Sequence, residues 1–473
     1  MIVRMVLPAL AEASDPGFRP IKYALFPPLG LATLAGYLRA DDDVSIMDEH
    51  VRHFDHGGRP DLVLIQCYTT STARSYRLGD MYKSRGSYVV LGGLHPSALP
   101  QEAAQHADTV FIGPGDHTFA QFISDFRSGE PRRVYYGRHR WLQGVPAPRR
   151  ELIKRRSYLV PNTIVVSRGC PHHCDFCYKD TFYRGGRSFY TARVDSALAE
   201  IDSLPGRHLF FLDDQLFGNE RFVRELFSGM RGMGRVWQAA GTVRSVLRPG
   251  LMDLAAEVGL RSLFIGFESI TQASLEASGK HHNRIHEYHD AIERLHSLGI
   301  MINGSFVFGF DQDDLSVFDR TVDWAIDRGI ETATFHILTP YPGTPLRQRL
   351  NQEGRLLAKR WELHDTRHAV FTPKRMEPRE LEAGYRRSYR RFYSWGSIHR
   401  CASNHPSLLA YARHMAYAGG WKKFEPVWDW VIRAGRVTRF LPLLETVLSG
   451  FGSLPSQREK IPVSLNLDEV RMK

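Results

Sequence analysis

Three of the five cysteines in this 473-residue chain fall within one short stretch, Arg168 to Tyr178, which reads RGCPHHCDFCY. Cys170, Cys174 and Cys177 follow the spacing C-x3-C-x2-C. Thiolates this close on one loop can converge on a single metal centre. A [4Fe–4S] cluster normally takes four cysteine ligands, so three would leave one iron open to a substrate or cofactor. Two other chemistries compete. One is a structural zinc site with His172 or His173 as fourth ligand, but zinc ligands usually come in two separated pairs and no second pair occurs here. The other is three unrelated buried thiols, which the clustering disfavours.

The elements around the loop must aim it. The β-branched run Thr163–Ser167 reads as a buried strand, and Gly169 and Pro171 then break regular structure, so the cysteines leave a strand end. Strand-like runs recur at His208–Leu212, Trp237–Gly241, Ser262–Phe267, Ile302–Phe308 and Thr332–Leu338, with helical stretches such as Arg193–Leu204, Asn219–Met233 and Tyr288–Leu298 between them. Six such units predict a partial (β/α)6 barrel of TIM type over residues 161–350, whose active site lies at the carboxyl ends of the strands. Upstream, Met1–Leu7, Val44–Met47, Asp61–Gln66, Tyr88–Leu91 and Thr109–Ile112 alternate with helical stretches such as Leu29–Arg39. They predict an α/β, doubly wound parallel sheet over residues 1–140, with ligands beyond its strand ends at Thr69–Thr72, Gly92–Gly93 and Gly113–Gly115. Glycine there lets a bulky ligand approach the backbone. Residues 141–160, rich in proline and arginine, read as a linker. Residues 351–473 read as a mainly helical extension, with helices at Glu380–Phe392, Ser407–Ala418 and Phe440–Leu448.

The cysteine stretch, with aromatic Phe176 before the last cysteine, resembles the signature of the radical S-adenosylmethionine (SAM) superfamily. PPLGLATLAGYL, GGLHPSALP and GPGDHTF resemble the cobalamin-binding domain that precedes the cluster domain in one of its classes. The resemblance implies a [4Fe–4S] cluster on Cys170, Cys174 and Cys177, with SAM at the open iron. It implies a corrinoid lined by Thr70, Ser71, Gly92, Gly93, His95, Gly113 and Gly115. Phe211–Phe217 resembles the segment that meets the SAM amino group, through Asp213 and Asp214. Arg244 would face the SAM carboxylate, and Glu268 and Ser269, in G-x-E-S, its ribose and carboxylate. Gly309 would let backbone pack on the adenine. His336 is the first candidate for proton transfer and Tyr341, in T-P-x-P-G-T-P, the second; His364 or His368 would lie near substrate. The implied reaction is cleavage of SAM to a 5′-deoxyadenosyl radical and cobalamin-dependent methylation of an unactivated carbon on a small molecule of natural-product type, with flavodoxin or ferredoxin as electron donor. Non-methylating rearrangement or cyclisation, RNA modification and a non-catalytic metal-binding role are the alternatives. RNA methylthiolating relatives carry a cysteine trio in the N-terminal domain, where this chain has only Cys67.

Some positions depart from the pattern. The nearest match to the cobalt-ligating D-x-H-x-x-G is Asp48 to His53, with His53 in place of glycine, so His50 is not assigned as axial ligand and both histidines read as surface residues. Pro114 stands where the family often has an acidic residue. No apolar run reaches the roughly 18 residues of a membrane helix, and the N-terminus reads as a core strand rather than a signal peptide. Five cysteines with three clustered suit a reducing cytoplasm rather than a disulfide framework. The net charge of +11 comes with basic runs at Arg149–Arg156 and Arg386–Arg391. They read as a solvated arginine-rich face rather than a nucleic-acid surface.

Overall fold

The computed structural model describes residues 1–9, 26–51, 54–186, 188–357, 360–405 and 407–420. The expected helix at Phe440–Leu448, and His53, lie outside them. Among the described residues no helix is long and apolar enough to cross a membrane.

The first sheet is parallel throughout. Its strands are β1 (Ile2–Leu7), β2 (Asp43–Asp48), β3 (Leu62–Gln66), β4 (Tyr88–Gly92), β5 (Thr109–Ile112) and β6 (Val134–Tyr136), in the order β2-β1-β3-β4-β5-β6. The period-two alternation of strand side chains explains why β3 and β4 are apolar at nearly every position. Leu62, Leu64 and Val90 pack on one face with Phe111, Phe119 and Phe122. Val63, Ile65, Val89 and Leu91 pack on the other with Leu78 and Tyr82. The order reverses between β1 and β3, the switch point where such sheets open a crevice beyond their carboxyl ends. β6 extends the sheet by an edge strand that the sequence reading lacks.

The second sheet is also parallel. It comprises β7 (Thr163–Ile164), β10 (His208–Phe211), β11 (Val236–Gly241), β12 (Leu260–Glu268), β13 (Met301–Phe308) and β14 (Thr332–Ile337), in that order. A separate antiparallel pair, β8 (Ser167–Gly169) and β9 (Phe189–Thr191), flanks the cysteine loop. The expected strand Thr163–Ser167 is therefore split. The Asp213 carboxylate accepts the Val166 and Ser167 amides, so those donors leave the ladder and the chain turns to pair with β9.

An open barrel leaves an edge strand whose backbone groups need partners. The C-terminal helix Pro378–Phe392 supplies them for β14. Tyr393 Oη accepts from Ala333 N at 3.0 Å and donates to Ala333 O at 2.7 Å. Tyr389, one turn earlier, does the same for Phe335 at 3.1 and 3.2 Å. The basic runs are spent largely in ion pairs, among them Arg149–Glu151 at 2.8 Å and Arg391–Asp319 at 2.9 Å.

Candidate functional site

Gly169 adopts φ +74°, and a Cβ there would run into the Ser188 carbonyl, so glycine is what lets the chain turn from β8 into the cysteine loop. Later elements clamp that loop. Asp175 N donates to Ser278 O at 3.0 Å and Asp175 O accepts from Leu346 N at 3.1 Å. Arg349 bridges Asp175, at 3.3 Å, and Asp311, at 2.9 Å. Cys170, Cys174 and Cys177 are all partly exposed on this loop, whereas Cys67 and Cys401 are buried elsewhere. Burial pushes the Cys174 thiol up to about 11 and Cys177 up to about 12, and raises Cys170. Lys280 opposes burial at Cys170 and Cys174, and Lys179 also at Cys170. Three thiols without a fourth, beside buried cations, suit an anionic iron–sulfur cube with one open iron; a bound metal would turn the thiols into thiolates.

The expected SAM-contacting residues part company. Glu268 ends β12 at a bulge with φ +63°, rare for a residue bearing a Cβ and costing of order 1–3 kcal/mol. Its Oε1 lies 2.7 Å from Lys280 Nζ, and both side chains are largely buried. Asn283 and Tyr288 hold the bulge by donating to Gly266 O and Phe267 O, each at 2.8 Å. Asp214 is exposed and accepts from Tyr178 Oη at 2.8 Å. Arg244 is exposed with no ion-pair partner among the described residues. Phe176 packs edge-on against Phe310 at 6.3 Å.

Other expected residues have internal partners. Asp213 is buried and bound to Val166 N, Ser167 N and Ser167 Oγ. Burial pushes its carboxyl up to about 7 although those donors pull it down. It therefore fastens the strand entering the cysteine loop, where the sequence reading has it facing an ammonium. Ser269 Oγ accepts from Thr271 N at 3.0 Å. A Cβ on Gly309 would meet Leu381 and Phe371 of the C-terminal extension. His336 Nδ1 lies 3.2 Å from Thr366 Oγ1. Burial pushes the Tyr341 phenol up to about 12, with Asp365 and Cys177 adding to the rise. His364 is buried against Arg347, and His368 pairs with Asp365.

Sequence reasoning missed Lys280 and Asn283, which it passed over within a polar loop. It also missed the parallel stack of His172 on His282, with ring centroids 3.6 Å apart. Burial, then Lys280, lowers His172 to about 4 and His282 to about 3.

A cavity of about 180 Å³ opens at the carboxyl ends of the first sheet. Gly30, Gly92, Gly93, Gly113 and Gly115 line it, with Leu34, Leu64 and Phe111. Arg168, Phe182 and Tyr183, from either side of the cysteine loop, close it. Two buried polar atoms on its wall, Gln66 Oε1 and Arg168 Nε, have no hydrogen-bond partner. An apolar slot carrying an unspent acceptor and donor fits an amide-bearing corrinoid. Thr70, Ser71 and His95 do not line it. Ser71 closes a turn onto Tyr68, and His95 is buried between Glu102, at 3.1 Å, and Trp361. His50 is buried rather than a surface residue, its ring 2.9 Å from Asp48.

Family models match in three places: a B12 binding domain over residues 23–123, the Radical SAM superfamily over 164–349, and a domain of unknown function over 344–440. Bacteriochlorophyllide d C-12(1)-methyltransferase of Chlorobaculum tepidum is 30% identical over 387 residues, 78% of this chain and 83% of that protein. The C-8(2)-methyltransferase of the same organism is 26% identical over 82% of this chain and 92% of that protein. Among solved structures, the cobalamin-dependent SAM radical enzyme OxsB with aqua-cobalamin and SAM bound shares the fold. Its TM-score is 0.64 at 16% identity, over 94% of this chain and 79% of that one.

Proposed function

The chain belongs to the radical SAM superfamily, in its cobalamin-binding class, and from that premise we propose that it methylates an unactivated carbon of a small-molecule substrate. When bound, the cluster and SAM supply a 5′-deoxyadenosyl radical and cobalamin supplies a transferable methyl group. Cys170, Cys174 and Cys177 hold the cluster, leaving one iron for SAM. Asp214, Glu268 and Arg244 offer two carboxylates and a guanidinium to the ammonium, hydroxyl and carboxylate groups of SAM. Tyr341 stays a phenol at neutral pH, so it can donate a proton but not take one; His336 is the candidate base.

One observation carries this reading. The cavity beyond the first sheet is closed by Arg168, Phe182 and Tyr183, which flank the cysteine loop, so corrinoid and cluster would share one wall. The relatives named for bacteriochlorophyllide d make a tetrapyrrole the first compound to assay.

The test is anaerobic reconstitution with iron, sulfide and hydroxocobalamin, followed by dithionite and SAM. The expected products are 5′-deoxyadenosine and S-adenosylhomocysteine, with about four irons and one corrinoid per chain. Corrinoid-loaded protein that yields 5′-deoxyadenosine without S-adenosylhomocysteine would overturn methylation while leaving the radical step.

A further inference from the structure

Four ligand-type side chains meet at the amino end of β14, the end away from the cysteine loop. Glu331 immediately precedes β14, His296 ends the helix Tyr288–Ser297, His405 follows the helix Trp395–Ser403, and His414 lies on the helix Leu408–Ala418. Glu331 Oε1 is 3.5 Å from His296 Nε2 and 3.7 Å from His405 Nε2. His405 Nε2 is in turn 3.0 Å from His414 Nδ1. One atom each from His296, Glu331 and His405 falls within 4.8 Å of the others. We infer that His296, Glu331 and His405, with His414 beside them, form a binding site for a zinc-type divalent cation, separate from the cysteine loop.

The spacings carry the inference. Zinc bonds of 2.0–2.1 Å to imidazole nitrogen and carboxylate oxygen give a tetrahedron with edges of about 3.3 Å, close to the 3.5 and 3.7 Å between Glu331 Oε1 and the two imidazole nitrogens. As hydrogen bonds the two Glu331 separations serve poorly. His296 Nε2 is buried yet makes no hydrogen bond, and His405 Nε2, bonded to His414, lies too far from Glu331 Oε1 for a second hydrogen bond. Glu331 Oε2 is already spent on Ile302 N at 2.9 Å, leaving Oε1 for the cluster. Two imidazoles and one carboxylate are a borderline donor set that suits Zn²⁺. Three protein donors leave one corner of the tetrahedron for a water. The Glu331, His405 and His414 side chains are at most 6% exposed, whereas His296 is 19% exposed and gives a route in. The cation would staple the C-terminal helices to the rim of the barrel.

The test begins with the full-length Cys170→Ala/Cys174→Ala/Cys177→Ala variant, which removes the competing thiols. After chelation it is titrated with Zn²⁺ and followed by elemental analysis and thermal unfolding. One zinc per chain and a raised midpoint are expected, and Co²⁺ in its place should give tetrahedral visible bands. Adding His296→Ala and His405→Ala should cut retained zinc at least tenfold and abolish the shift. Should the triple variant not fold, wild-type protein with its cluster is assayed instead, and one zinc per four irons is expected. No retained zinc in either protein, or zinc unaffected by the histidine changes, would overturn the inference.

Discussion

Filling the cavity at Gly115 separates the corrinoid from the radical step. A Cβ at this position would meet Leu34 at 3.5 Å, ordinary contact, and the backbone there is not in the left-handed region. Gly115→Ala should therefore leave both folding and cobalamin binding intact. Gly115→Leu sends a branched side chain into a space of about 180 Å³. At about 24 cal/mol per Å³ of cavity, occupying half of it is worth up to about 2 kcal/mol. Overpacking costs about 1–3 kcal/mol, so the stability of the variant should stay within roughly 1 kcal/mol of wild type. A corrinoid entering the same space must push the leucine against Phe111 and Leu64. If that displacement costs the same 1–3 kcal/mol, affinity falls roughly 5- to 150-fold.

The assay is visible absorbance of desalted protein after incubation with hydroxocobalamin, with iron and 5′-deoxyadenosine measured on the same sample. Gly115→Leu should lose the corrinoid and S-adenosylhomocysteine formation yet keep its iron and release 5′-deoxyadenosine. A leucine variant that binds corrinoid as tightly as wild type would refute the placement.

Three further outcomes follow from the geometry. In the metal-free chain the alkylation rate of Cys174 by iodoacetamide should climb about tenfold per pH unit past pH 10, because its thiol lies near 11; an ordinary cysteine near 8.5 levels off earlier, and a plateau by pH 9 would contradict the burial. Lys280→Met leaves the Glu268 carboxylate buried without its cation, which should cost about 3–5 kcal/mol in urea unfolding. Adding Glu268→Gln should recover part of that loss, and a wild-type midpoint in Lys280→Met would show that the pair holds nothing. Asp213 has its folded pKa near 7, above the roughly 3.9 of an unfolded chain. Between those values the folded state keeps a proton the unfolded state releases, so stability falls from about pH 4 to about pH 7 by at most about 4 kcal/mol, then levels. Asp213→Asn should flatten that slope in urea midpoints measured against pH; an unchanged slope would remove Asp213 as its source.

The alternation of strands and helices was readable wherever a segment buries both faces of a parallel strand. Thr109–Ile112 and Leu62–Gln66 stand out because their apolar residues run almost unbroken. Val134–Tyr136 did not stand out, since three residues between arginines carry too little apolar signal for an edge strand. Thr163–Ser167 read as one strand because its β-branched residues say nothing of a carboxylate 47 residues later that takes over the Val166 amide. The site divides the same way. Cys170, Cys174 and Cys177 are local in sequence, so spacing alone finds them. Lys280 opposite Glu268, His172 on His282 and the His296–Glu331–His405–His414 group are pairings between distant segments, which periodicity does not encode.

Those distances in sequence also order the assembly of the site. The cysteine loop is held by Arg349 across 174 residues and by Gly343, which accepts from Thr181 Oγ1 at 2.8 Å, across 162. Closing such long loops before other contacts reward it is costly, so these clamps form late. Until β14 and the helix Pro345–Gln352 have docked, the loop lacks the Gly343 and Arg349 clamps and rests on its own turn, the β8–β9 pair and earlier contacts such as Asp175 N to Ser278 O. A metal centre that needs three thiols in fixed relative positions therefore becomes available only once the barrel is complete. The barrel edge is finished in turn by Tyr389 and Tyr393, so the C-terminal extension contributes to the cysteine loop through β14. Shortening that extension before Tyr389 removes the partners of Ala333 and Phe335 on β14, and the loss passes through β14 to the Gly343 and Arg349 clamps.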